Sequence, residues 1–272
     1  MKSNNKFTED LVYFLRKYLF TYIFGIAVFL NAYFMFTNSE VFTIADGDEF
    51  DLLAKLQVSF ILNWSGYFTP VLVALPHVMR FHEEKSSGAY RFGLARSGQL
   101  KYVFCKVRDA AVSGALVMAC SLPLFVAAVS VYAFLHEGTV TLYHAGMFGD
   151  EYTPNFYYDL IIDGKGIVVF LINCMFLLGY SIYWSCIGTV VSFFIKNKRI
   201  ALAGPFIFQR VFDYIIPRSM SYLHDGNLRL SSSSQAMHLG GIPYAISYVG
   251  TVFVLSVTIL YFGMEVWLRR HG

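Results

Sequence analysis

The chain has 272 residues, of which 56% are hydrophobic and 14% are charged, and its net charge is +3. Soluble domains carry about a quarter of charged residues, so this composition excludes an ordinary soluble protein. The small net charge hides an uneven distribution along the chain, and we expect no nucleic-acid partner. The composition instead predicts a protein whose solvent is the lipid bilayer.

The apolar residues fall into segments near the length of about 20 residues that crosses a bilayer. They predict an all-α membrane protein with six transmembrane helices in a single domain, residues 18–272. The fifth predicted span is the weakest, because it contains Gln209, Arg210 and Asp213. The six predicted spans are Tyr18–Thr37, Gln57–Met79, Ala110–Leu135, Gly166–Ile195, Ile200–Pro217 and Pro243–Leu268.

The distribution of Lys and Arg sets the expected orientation. With the N-terminus inside, sixteen Lys and Arg residues lie on cytoplasmic segments and four on outside segments. Cytoplasmic segments of membrane proteins carry this excess of basic residues. We therefore predict a multi-pass protein of the plasma membrane, with both termini in the cytoplasm and with outside loops at residues 38–56, 136–165 and 218–242. The last loop is polar, and whether it re-enters the membrane stays open.

Residues 1–17 form a separate amphipathic segment. Phe7, Leu11, Phe14 and Leu15 fall on one helical face, and the charges lie elsewhere. This pattern is typical of an interfacial helix at the cytoplasmic surface. The alternative is that the segment extends the first span into water.

The cytoplasmic loop 80–109 holds seven basic residues against three acidic ones. Two breaks, Ser86-Ser87-Gly88 and Ser97-Gly98, bracket the segment Ala89–Arg96. Ser favours helix starts and Gly favours helix ends, so we predict a short helix between two long ones. A basic loop attracted to anionic lipid explains the charge, but it does not explain the two breaks.

Charges inside a membrane are costly and usually face a bundle interior or water. Arg210 and Asp213 are three residues apart, on one side of the fifth span. They line a polar translocation path together with Gln209, or they form a local ion pair that fixes helix packing. For Gln209 the alternative is a hydrogen bond between helices.

Motifs for chemistry are missing from the sequence. The pattern G-x-x-x-x-G-K-[ST] is absent, and so is G-x-S-x-G. His77 and His82 are five residues apart, which places them on different helical faces rather than at the i, i+4 spacing of a zinc motif. We expect no catalytic residue, no metal site and no cofactor in this chain, so any nucleotide hydrolysis must come from another polypeptide.

The segment from Glu84 to Gly88, followed by Arg96 and by Lys106 before the next span, resembles the first cytoplasmic loop of type-2 ABC transporter permeases. In that family an acidic residue stands four positions before a Gly, and a short helix and a basic approach to the third span follow. The predicted topology is also similar over the whole chain. Two departures are Ser97-Gly98, where many members have Pro, and the long second outside loop.

The resemblance implies a permease subunit of an ATP-driven exporter. Each of two permeases, identical or homologous, would dock one copy of a separate ATPase that binds ATP and Mg²⁺. The short helix would be the coupling helix that seats in the ATPase. The implied docking residues are Glu83, Glu84, Gly88, Arg91, Phe92 and Arg96.

The cargo is less clearly indicated. Aromatic spans suit an amphipathic or hydrophobic cargo, with a small peptide or toxin favoured. Drug, glycan and ion export remain open, as does a non-exporting immunity or sensor complex. A secondary carrier would need ion-coupling acids within the spans, and only Asp213 is placed there.

Overall fold

The computed structural model describes residues 21–39, 49–61, 65–142, 163–195, 197–220 and 242–271, and these residues are mostly helical. The segment 1–17, which we predicted as an interfacial helix, lies outside the described residues. So do large parts of the predicted outside loops, including residues 143–162 and 221–241.

Long helices account for most of the described chain. Apolar residues dominate the interior of each long helix, and buried residues recur at helical spacing, as at Phe24, Ala27, Val28 and Asn31. The helices are α1 (Tyr22–Thr37), α2 (Leu52–Ile61), α3 (Ser65–Ser86), α4 (Ala89–Ser97), α5 (Gln99–Leu135), α6 (Gly166–Phe194), α7 (Lys198–Met220) and α8 (Ile242–His271).

Two helices, α5 and α6, are long and apolar enough to cross a membrane by length and composition, within the part of the chain that the structure describes. The helices α1, α7 and α8 coincide with predicted spans to within a few residues. Their lengths are 16, 23 and 30 residues. The six-span arrangement itself stays a prediction.

The second predicted span, Gln57–Met79, does not match one helix. The helix α2 ends at Ile61, and α3 begins at Ser65 and continues to Ser86. A Cβ on Gly66 would lie 2.7 Å from the carbonyl oxygen of Phe60, so the absence of a side chain lets the two helices approach closely. The apolar pattern runs across this junction, which is why the sequence suggested a single span.

A small parallel ladder also departs from the all-α prediction. The strands β1 (Glu49–Asp51) and β2 (Thr139–Thr141) pair with Glu49 opposite Thr139. They lie in the predicted outside loops 38–56 and 136–165. Strands of three residues have too short an alternation to be recognised in a sequence, and this ladder depends on the approach of two distant segments.

The bundle is organised around α6, which packs against α3, α5, α7 and α8. Buried polar side chains form hydrogen bonds between these helices. The hydroxyl of Tyr180 in α6 donates to the carbonyl oxygen of Gly66 at 2.8 Å. The hydroxyl of Ser185 donates to the carbonyl oxygen of Ala110 in α5 at 2.7 Å. These bonds fix the positions of α3 and α5 along the axis of α6.

Candidate functional site

The short helix α4 lies between two glycines with positive φ. Gly88 has φ 72° and Gly98 has φ 76°, values that residues with a Cβ rarely adopt. The chain can therefore leave α3, form one short helix and turn directly into α5. This confirms the helix predicted for Ala89–Arg96, with one further residue at its end.

One face of α4 is buried against the long helices. Tyr90 is buried, and its ring centroid lies 5.0 Å from that of Trp267 in α8. A Cβ on Gly93 would lie 2.7 Å from Cε2 of Tyr102 in α5. The Tyr102 ring can pack against α4 here because residue 93 has no side chain. The helix therefore rests on α5 and α8.

The opposite face of α4 is exposed and combines apolar and basic side chains. Phe92 is 80% exposed, and Arg91 and Arg96 are exposed beside it. Nε of Arg91 donates to the hydroxyl of Tyr90 at 3.3 Å. This hydrogen bond raises the pKa of Arg91. An exposed aromatic flanked by Arg has the composition of an interface anchor.

The carboxylate of Glu84, near the end of α3, joins α3 to α5. The hydroxyl of Tyr102 donates to Oε1 of Glu84 at 2.7 Å, and Nζ of Lys106 donates to Oε2. The side chains of Lys106 and Glu84 are only 12% and 20% exposed. Burial raises the pKa of Tyr102, and its hydrogen bond to Glu84 raises that pKa further.

Lys85 connects α3 to the end of α6. Its Nζ donates to the carbonyl oxygens of Phe193 at 2.7 Å and Ser192 at 3.1 Å. These carbonyls lie at the negative end of the α6 dipole, where a cation is favourable. The same ammonium lies 5.7 Å from the ring centroid of Trp267, which adds a contact with α8.

Glu83 completes the set with a bond to α7. Its Oε1 lies 3.3 Å from Nζ of Lys198, in a pair that is largely exposed to solvent. Such a surface pair contributes about 0.2–1 kcal/mol. Three consecutive residues thus bind three different helices, and we call them the Glu83–Lys85 triplet. The end of α3 is therefore bonded to α5, α6 and α7.

Aromatic rings of α3, α4, α6 and α8 pack together near the triplet. The ring centroid of Trp267 lies 6.2 Å from that of Phe81 in α3 and 5.9 Å from that of Phe193 in α6. Tyr90 of α4 contacts the same indole. We call these four residues the basal aromatic cluster. All four rings are buried, so α4 is packed through Tyr90 against an aromatic core.

The second set of predicted site residues lies on α7, away from α4. Gln209 is buried, and its Nε2 donates to the carbonyl oxygen of Gly66 at 2.8 Å and to the hydroxyl of Tyr180 at 3.3 Å. The guanidinium of Arg210 lies 3.8 Å from the ring centroid of Tyr67. The side chain of Asp213 lies outside the described residues, so its predicted relation to Arg210 stays a prediction.

Gln209 therefore forms one of the hydrogen bonds between helices that the sequence allowed. Its place on a translocation path stays a prediction. Among the described residues, no group of three or more His, Cys, Asp or Glu side chains could hold a metal ion.

Sequence reasoning singled out Glu83 and Glu84 of the triplet, together with Gly88, Arg91, Phe92 and Arg96, but it did not single out Lys85 or the aromatic residues that contact this region. Tyr102 and Phe193 carry no local signal of their role, since each is one aromatic residue among many. A usable signal existed for Trp267, which precedes Arg269 and Arg270 at the end of α8. Trp in such a position is typical of a membrane interface.

Comparison of the chain with protein-family models, with curated proteins and with solved structures finds no match.

Proposed function

We propose that this chain is the permease subunit of an ATP-driven exporter of the type-2 ABC class. In this proposal α1, α3, α5, α6, α7 and α8 cross the plasma membrane, with both termini in the cytoplasm. The observation that carries it is α4. It is a short helix between two glycines with positive φ, and the Glu83–Lys85 triplet beside it binds three of the long helices.

Exposed apolar side chains support membrane insertion of helices beyond α5 and α6. On α1, Tyr22 is 76% exposed and Phe29 is 65% exposed. On α8, Val254 is 61% exposed and Phe262 is 57% exposed. Soluble monomers rarely expose apolar bands of this kind. Lipid contact accounts for them on each helix.

The coupling step follows from the contacts of α4. A separate ATPase, one copy for each permease, binds ATP and Mg²⁺ and receives the exposed face formed by Arg91, Phe92 and Arg96. Closure of two ATPase copies moves α4, and the triplet passes this motion to α5, α6 and α7. The spans of two permeases, identical or homologous, then rearrange as rigid bodies around the cargo path.

The cargo in this proposal is amphipathic or hydrophobic, with a small peptide or toxin favoured. Gln209, Arg210 and Asp213 on α7 would form the polar part of its path. The support is the exposure of Arg210, whose charge is held over the ring of Tyr67.

The test uses the full chain purified from its native membranes with whatever subunits accompany it. We expect an ATPase to co-purify and to hydrolyse Mg-ATP. In the double variant Arg91→Glu, Arg96→Glu, we expect normal insertion and a loss of stimulated ATPase activity of about tenfold, because two charges in an interface are reversed. The control, Arg199→Glu, reverses one exposed charge near the start of α7, outside the exposed face of α4.

Unchanged activity in the α4 variant would mean that α4 is a lipid anchor. Purified protein that never binds an ATPase would rule out the permease assignment. Export measured in vesicles, with and without ATP, separates an exporter from a non-exporting complex of the same architecture.

A further inference from the structure

An apolar groove of about 590 Å³ runs between α5, α6 and α8. Pockets of roughly 300–1,000 Å³ are typical of small-molecule sites. The groove has an almost wholly apolar lining, with one charged side chain among its residues. The lining includes Val107, Ala111, Ala115 and Ala119 of α5, Ile182 of α6 and Val257 of α8.

The groove exists because α5 presents small residues to it. Ala111, Ala115 and Ala119 are four residues apart, so they lie one above the other on one side of the helix. Larger residues at these positions would fill the space. Ala119 is exposed and Ala115 is half-buried, so the groove opens towards the surroundings of the bundle.

One end of the groove is basic. Arg108 lines it, and Lys101 lies two turns earlier on the same side of α5 and is exposed. Nη2 of Arg108 donates to Oδ1 of Asp109 at 3.2 Å, and the Arg108 side chain is 56% exposed. A guanidinium has five N–H donors, so it can bridge a carboxylate and a phosphate.

We propose that this groove binds one anionic phospholipid. The phosphate lies at Arg108 and Lys101, and an acyl chain follows the three alanines. From Arg108 to Ala119 the helix rises about 16 Å, which matches one leaflet, half of a hydrocarbon core about 30 Å thick. The inference rests on the membrane-spanning part of the proposed function but not on ATPase docking.

Charge favours a lipid over a second copy of the chain. A contact between two copies related by a two-fold axis brings a surface against its own equivalent. Arg108 and Lys101 would then face the same cations in the other copy, which is unfavourable. Anionic lipids of the cytoplasmic leaflet have the opposite charge at this depth.

The test is native mass spectrometry of the purified full chain in detergent, with added phosphatidylglycerol or phosphatidylcholine. We expect one retained phosphatidylglycerol and little phosphatidylcholine. The double variant Lys101→Gln, Arg108→Gln should retain about tenfold less phosphatidylglycerol. Ala115→Phe fills the groove and should lose it as well. The control, Val131→Phe, introduces the same aromatic side chain at a 58% exposed position of the same helix.

Equal retention of the two lipids would overturn the proposal, and so would wild-type retention in the double variant. Loss of lipid equally in Val131→Phe would also count against it. A wild-type dimer without bound lipid that Ala115→Phe converts to a monomer would assign the groove to a chain–chain contact. Both substituted cations are exposed, so the double variant decides the matter even if Ala115→Phe fails to fold.

Carbonate extraction of membranes, run on the same preparations, reports insertion separately. An extracted protein contradicts the membrane-spanning proposal. An inserted protein without phosphatidylglycerol selectivity contradicts only the lipid site.

Discussion

The hydroxyl of Tyr102 donates a 2.7 Å hydrogen bond to the carboxylate of Glu84, which lies 18 residues earlier in the chain. This bond joins the end of α3 to the start of α5. The segment between them, which contains α4, is therefore held at both ends. Lys106 binds the second oxygen of the same carboxylate. A force applied to α4 therefore acts on α3 and α5 together.

The first prediction concerns the two acidic residues of the triplet. Glu84→Gln leaves the ammonium of Lys106, which is 12% exposed, without its carboxylate. We expect the free energy of unfolding to fall by about 2 kcal/mol, somewhat less than the roughly 3–5 kcal/mol for a fully buried pair. Glu83→Gln, the matched control, breaks an exposed pair and should cost less than about 1 kcal/mol. Unfolding in detergent micelles measures both, and equal losses would contradict the assigned role of Glu84.

The second prediction concerns alkaline pH. Burial and the hydrogen bond to Glu84 raise the pKa of Tyr102, so the folded protein keeps this proton where the unfolded chain loses it, above about pH 10. The stabilisation is complete below that pH and is lost as the pH rises further. We expect the difference in Tm between the wild type and Tyr102→Phe to be constant up to about pH 9 and to shrink above about pH 10. The same difference at pH 8 and at pH 11 would show that the phenol proton is not involved.

The third prediction concerns the cation at the end of α6. Lys85→Met removes the donor to the carbonyl oxygens of Ser192 and Phe193. We expect a loss of about 1–2 kcal/mol in the free energy of unfolding, as for a partly buried cation at a helix C-terminus. Lys85→Arg keeps the charge and should lose less. If the two variants unfold at the same temperature, the charge does not stabilise this end of the helix.

The fourth prediction concerns a close approach of α5 and α6 at Gly114. A Cβ on Gly114 would lie 2.6 Å from the carbonyl oxygen of Ser181 and 2.6 Å from Cβ of Ser185. Because a backbone atom stands in the way, Gly114→Ala must separate the helices, and we expect a loss of about 1–3 kcal/mol. At Gly250 of α8 nothing lies within 4 Å of an added Cβ.

Gly250→Ala is therefore the control for Gly114→Ala, and it should be neutral or stabilising by up to about 1 kcal/mol. Thermal unfolding of the two variants in one detergent is the measurement. A Gly114→Ala variant as stable as Gly250→Ala would mean that the helices adjust without strain.

The helices themselves were largely predictable, because their causes are local. The start of α6 at Gly166 and the end of α5 at Leu135 were both expected from the apolar pattern. The break between α2 and α3 was not, since Ser65 and Gly66 lie in a continuous apolar run. Only the structure shows this break, at the close contact between Gly66 and the carbonyl group of Phe60.

The candidate site divides in the same way. Gly88, Gly98 and the exposed Arg91 and Arg96 could be recognised from residue type and spacing, because positive φ and surface charge are properties of a residue and its neighbours. Nothing in the sequence paired Lys85 with the end of α6. That contact is made over 108 residues, and it depends on how the helices pack.

The sequence alone therefore specified helical segments, their apolar character and a punctuated basic helix between two of them. Packing decided which partners the Glu83–Lys85 triplet would bind, where the basal aromatic cluster would form and that a groove would open beside Ala115. The physical reason is that backbone preference and hydropathy act over a few residues. Which side chains contact each other, by contrast, depends on how helices from distant parts of the chain pack together.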